Sequence, residues 1–219
     1  MLRYRMSNNH QHHWADRLLI QCEQGLATLW GTPNNTRADP SAHLPEPTLT
    51  NQERRHSAGL MRVNHTGEVC AQALYHGQAA TAHTTHTQQL MQQAALEEND
   101  HLAWCDTRLK ALNARPSALN PLWYGLSFAL GAAASAAGDA WSLGFVVETE
   151  RQVIAHLDKH LKQLPTADQK SAVILTQMKE EEAEHAHTAH SNGARPLPGP
   201  MRWLMQQWSR VMTTTAYWI

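Results

Sequence analysis

The sequence predicts an all-α fold, a bundle of four long helices with additional interfacial helices, and three observations carry that prediction. Apolar residues recur at three- and four-residue intervals over long stretches. Sustained Val/Ile alternation, the mark of half-buried strands, is missing from those stretches. The prolines at 116, 121 and 165 fall between the periodic segments, where a missing N–H does least harm. With 219 residues the chain has material for one domain with a real core and about fifty residues to spare.

Taken in order, residues 14–30 place Trp14, Leu18, Cys22, Leu26 and Leu29 at helical spacing, which reads as an amphipathic packing or membrane-contact helix. Residues 31–47 carry four prolines among Asn, Thr and Ser and read as a linker. Thr50 followed by Glu53 is a capping-box signature that opens the first bundle helix. Helices are expected over about 50–82, 86–112, 121–137, 139–164 and 167–191. The run from Leu122 to Gly138 holds 17 uncharged residues, but its Ala and Gly content suits a buried or interfacial helix better than a membrane span. After the Pro-rich segment 195–200, Met201, Leu204, Met205, Trp208, Val211 and Met212 share one side of a last amphipathic helix, opposite Arg202, Gln206 and Arg210. Three parts result: 1–47, an amphipathic helix and linker; 48–192, the bundle; 193–219, an amphipathic membrane-contact segment.

A formal net charge of −1 offers no broad basic surface, which argues against nucleic acid as a partner. Cys22, Cys70 and Cys105 are odd in number and lack CxxC spacing, so a reducing setting is expected rather than a disulfide framework. The opening residues lack the apolar segment of a secretory signal, and His10, His12 and His13 read as part of a polar terminus.

Chemistry enters where acids interrupt apolar stripes, because a buried carboxylate is costly unless it is paired or holds a metal. In the second bundle helix the stripe Leu90, Ala94, Cys105, Leu109, Leu112 is broken by Glu98 and His101, three apart and so neighbours on one face. In the last, Glu182 and His185 interrupt Leu175, Met178 and Ala189 in the same way. Glu150 stands alone on the stripe of Leu143, Val147, Ile154, Leu157 and Leu161. Glu68 lies on a noisier face with Met61, His65, Gln72, Tyr75 and Ala79, but no other acid occurs between Glu53 and Glu97. Each half of the bundle thus reads Glu, then Glu-x-x-His one helix hairpin later. That inventory is known from ferritin-like carboxylate bundles that hold two irons or two manganese ions. Glu97, Asp100, Glu148, Glu180, Glu181 and Glu184 lie off the stripes and read as solvated, as do His187 and His190, while Tyr75 and Cys105 read as core.

Four segments in order, Arg62-Val-Asn-His-Thr-Gly-Glu-Val-Cys70, Glu97-Glu-Asn-Asp-His101, Val147-Glu-Thr-Glu-Arg-Gln-Val153 and Glu181-Glu-Ala-Glu-His185, resemble the demethoxyubiquinone hydroxylase family, ferritin-like enzymes of ubiquinone biosynthesis. The likeness covers about residues 46–219. Asn64 stands where some relatives show Asp, at a position that is not a ligand. By position the resemblance implies Glu68, Glu98, His101, Glu150, Glu182 and His185 as ligands of two irons per chain, with His156 near the site. It implies hydroxylation of a 2-polyprenyl-3-methyl-6-methoxy-1,4-benzoquinol with O2, and a peripheral place on the cytoplasmic face of the cell membrane. Other ubiquinone-biosynthesis proteins are possible partners under that reading. A ferritin-like iron oxidase or store would use the same ligands, and a silent membrane scaffold would leave six stripe-breaking residues unexplained.

Overall fold

The computed structural model describes residues 14–33 and 36–219, in which seven helices and no strand occur. They are α1 (Trp14–Trp30), α2 (Asn51–Thr81), α3 (Thr85–Ala111), α4 (Asn120–Ala136), α5 (Asp139–Gln163), α6 (Gln169–Ser191) and α7 (Gly199–Trp218). His10, His12 and His13, and the side chains of Trp14 and Leu18, lie outside the described residues.

Local chemistry sets the boundaries. The Thr50–Glu53 capping box closes reciprocally at the start of α2. The Thr84 side chain caps α3, and Asp168 accepts from the Ser171 N–H to cap α6. Between α4 and α5 the chain turns at Gly138, whose φ of 121° an L side chain adopts only under strain.

Two hairpins, α2–α3 and α5–α6, make the four-helix bundle, with α3 facing α6 and α2 facing α5. Helix α4 lies along the outside of α2, and α1 and α7 also pack on α2. Nearly every residue of α2 from Ser57 to Ala79 is therefore buried, which is why its sequence lacks a clean polar face. The approach of α4 to α2 is made by glycines from both sides. A Cβ at Gly77 would strike the Phe128 carbonyl oxygen, and one at Gly131 the carbonyl of Leu74. The small residues of 122–138 are explained by this contact, and the face of α4 turned away from it leaves Leu122 and Leu130 exposed.

The segment between α1 and α2 is fastened to the bundle at both ends. Thr36 and Arg37 bind Asp100, and Glu46 pairs with Arg108 at 2.6 Å. Arg108 is itself buried, reaching Asp168 at 2.7 Å and Ser171 at 2.9 Å, so one guanidinium joins this segment to α3 and α6. Helix α1 departs from the expected stripe: Cys22 and Leu26 face solvent, and the helix packs instead through Gly25 against Tyr124 and through Thr28, which donates to Gln72 at 2.6 Å. Among the described residues no helix is long and apolar enough to cross a membrane.

Candidate metal centre

Two apolar layers sit along the bundle axis, and the acids lie between them. One layer is built around Met61, Leu109, Leu157, Ile174 and Met178. The other is built around Tyr75, Met91, Leu143, Val146 and Ala189. Glu68 on α2, Glu98 and His101 on α3, and Glu182 on α6 converge there with potential ligand atoms within 4.8 Å of one another, all four buried.

His101 turns Nδ1 into this group, 2.9 Å from Glu98, 3.3 Å from Glu182 and 3.7 Å from Glu68. From the other side His185 presents Nδ1 at 3.1 Å from Glu182 and 3.2 Å from Glu98. Glu150 on α5 is 1% exposed; its Oε1 accepts from the Tyr75 hydroxyl, and its Oε2 has no hydrogen-bond partner. The structure groups Glu68, Glu98, His101 and Glu182, sets His185 against Glu98 and Glu182, and buries Glu150 beside Tyr75, so the six sequence-selected residues lie on the four bundle helices around one layer.

A buried carboxylate oxygen with no donor costs free energy unless something cationic faces it. Burial pushes the Glu68 and Glu150 carboxyls well above the usual range, and the neighbouring Glu98 and Glu182 charges push the same way. Glu98 goes the other way: burial would raise it, but His101 and His185 hold it well below its ordinary value. Burial would lower His185, yet the facing Glu182 and Glu98 carboxylates raise it to about 12. Carboxylates and imidazoles converging with inward-facing lone pairs suit a divalent transition metal, so the donor set fits a metal centre.

The outer nitrogens of the two histidines cross over. His101 Nε2 lies 2.7 Å from Glu181, the residue before Glu182, and His185 Nε2 lies 2.8 Å from Glu97, the residue before Glu98. Each of these outer glutamates also accepts from the glutamine one turn earlier, Gln177 at 2.6 Å and Gln93 at 2.8 Å. Glu97 and Glu181 are therefore not idle surface acids, as their off-stripe places suggested. The signal available in the sequence was the longer repeat Gln-x-x-x-Glu-Glu-x-x-His, at 93–101 and again at 177–185. Asp100 likewise departs from the solvated reading: it is 2% exposed and bound by Thr36 and Arg37. Glu148 is also buried, facing the groove between α5 and α7, where Gln152 donates to it at 2.8 Å. Glu180, Glu184, His187 and His190 are exposed as expected.

A cavity of about 980 Å³ opens beside the centre between α2, α4, α5 and α7. Glu68, Glu150 and Glu182 stand at its polar end; Leu74, Leu126, Phe145, Met205 and Met212 are among its apolar walls. His156 also lines it, its ring tilted 59° against that of His160 with centroids 3.8 Å apart and with a buried, unpartnered Nε2.

The sequence profile of the Ubiquinone biosynthesis protein COQ7 family matches residues 55–216, which span every helix of the bundle. The chain is 56% identical over 206 residues to the 3-demethoxyubiquinol 3-hydroxylase of Xanthomonas oryzae pv. oryzae (strain PXO99A), covering 94% of this chain and 95% of that protein. It is 55% identical over 205 residues to the protein of the same name from Bordetella petrii, covering 93% and 91%. A profile match over residues 55–216, with relatives alike over nearly their full length, shows that the chain belongs to the Ubiquinone biosynthesis protein COQ7 family.

Proposed function

We propose that this chain is a 3-demethoxyubiquinol 3-hydroxylase, holding two irons and adding one oxygen atom from O2 to the ring of a 2-polyprenyl-3-methyl-6-methoxy-1,4-benzoquinol. The observation that carries the proposal is the junction of a buried group of carboxylates and histidines with a large apolar cavity. Glu68, Glu98, Glu150 and Glu182 with the Nδ1 atoms of His101 and His185 are the six ligands under this reading. Two divalent ions would carry the positive charge that balances four buried carboxylates.

When bound, the iron pair supplies activation of O2, with one oxygen atom going to the ring and the other leaving as water at the expense of two reducing equivalents. The chain's own residues supply the rest. Tyr75 donates to Glu150 Oε1 and keeps that carboxylate turned toward the centre, with Oε2 free. The apolar walls exclude water and hold an isoprenoid tail, while His156 Nε2 offers a polar contact within reach of the cavity. Leu204 and Trp208 on α7 line the same cavity and are also exposed, on a helix that carries exposed Arg202 and Arg210. This arrangement suits a peripheral membrane face through which a lipid-dissolved substrate enters.

Anaerobic loading with ferrous iron, then addition of demethoxyquinol and O2, should yield a product heavier by one oxygen atom. Uptake of many irons per chain without ring oxidation would instead favour the iron-store reading, which has no use for the apolar cavity.

A further inference from the structure

The two halves of the centre repeat the same parts, Gln-x-x-x-Glu-Glu-x-x-His, but among the described residues only one of the two outer glutamates, Glu181, is bound from outside the bundle. Arg37 approaches from the segment between α1 and α2. Its Nε lies 2.6 Å from Asp100 Oδ2, and its two terminal nitrogens reach Glu181 at 2.6 and 2.8 Å, one to each carboxylate oxygen. Thr36 adds a backbone N–H to Asp100 Oδ1 at 2.6 Å, and the guanidinium carbon stands 5.0 Å from the centre of the Trp104 ring. Trp104 in turn packs 5.4 Å from the His101 ring.

Glu181 is thereby held by a planar two-point fork, which fixes both its position and its rotation. The same carboxylate takes His101 Nε2. Glu97, its counterpart, receives His185 and Gln93 but is 42% exposed.

We propose that Arg37 is a positioning residue for the metal centre: it fixes Glu181, and through Glu181 the ring of His101, so that the chain ahead of the bundle sets one histidine position and leaves the other to solvent-exposed Glu97. The proposal rests on the reading of His101 and His185 as metal ligands. Its consequence is that the two metal positions, built from repeated sequence, are unequal. The His101 position has a pre-oriented imidazole in a sealed setting, and the His185 position does not. Partners that orient a ligating histidine are worth about 10–100-fold in metal affinity or activity.

The test uses cobalt(II) alone, titrated anaerobically into the full-length metal-free protein, with visible absorption following each binding step. Proton NMR of the loaded protein follows the exchangeable, metal-shifted imidazole N–H signals. The unaltered chain should take up two ions in two resolvable steps and show two such N–H signals. Arg37→Ala should weaken one step about tenfold or more and speed solvent exchange of one N–H. The other step and the other N–H should stay as they were. Glu181→Gln should affect that same step, and Glu97→Gln the opposite one. Glu181→Gln also carries the test should Arg37→Ala fail to fold. Equal weakening of both steps, or no change in either, in a folded Arg37→Ala protein would overturn the proposal. Uptake of fewer than two ions by the unaltered chain would instead count against the metal-centre reading itself.

Discussion

Glu148 and Glu150 are two residues apart on α5, a turn of about 200° on a helix, and this step separates the acid proposed as a ligand from one that packs against α7. Glu150 faces Tyr75 and the other acids; Glu148 faces α7 with Gln152 and Arg151. Glu150→Gln should therefore lose bound iron, measured by metal analysis after anaerobic reconstitution, because the amide removes a charge and an oxygen donor. Glu148→Gln should keep its iron; a reversal of the two results would mean that α5 is phased wrongly. Tyr75→Phe removes the hydroxyl that donates to Glu150 while leaving the ring in place. We expect about a 10–100-fold loss of metal affinity or turnover with unchanged helix content, by analogy with other outer partners of ligating groups. At this scale the convergence of the six stripe-breaking residues was readable from sequence, because an acid or a histidine on an apolar face has few structural uses. The roles of Glu97, Glu181 and Asp100 were not readable by the same rule. They lie off the stripe of their own helix and find their partners on another helix or on the segment before the bundle.

Helix α4 shows what an element's composition encodes. Its Ala and Gly residues make it weakly hydrophobic as a stretch, yet they permit backbone contact with α2 at Gly131 and Gly77. Gly131→Val should push α4 from α2 and cost about 1–3 kcal/mol, read as a lower urea midpoint with an unchanged slope. An unchanged midpoint would mean that the two helices do not approach as closely as the structure places them. Boundaries of α2 to α6 were legible to within a residue or two, since caps, prolines and Gly138 are local signals. The packing face of α1 was not. Its apolar stripe includes Cys22 and Leu26, but the helix docks through Gly25 and Thr28, whose partners Tyr124 and Gln72 are distant in sequence.

Over the whole molecule, α7 serves two neighbours at once. Met205 and Met212 wall the cavity, while Trp203, Leu204 and Val211 remain exposed at 62%, 62% and 54%. Several large apolar side chains exposed on one helix suit an interaction surface. Replacing Trp203 and Leu204 together by Glu should reduce co-sedimentation with anionic phospholipid vesicles several-fold without changing iron content. Unaltered vesicle binding would shift the contact to exposed Leu122 and Leu130 on α4 or to Leu19, Leu26 and Trp30 on α1.

The sequence by itself determined the helices, the two Glu-x-x-His pairs and the two lone glutamates, because helical periodicity and capping act within a few residues of each position. Only the tertiary structure decided which surfaces meet. It placed α4 and α7 as walls of one cavity, crossed each histidine to the other motif's leading glutamate, and brought Arg37 onto Asp100 and Glu181. Those contacts join residues on separate elements, and their energies depend on burial and geometry that no local pattern carries.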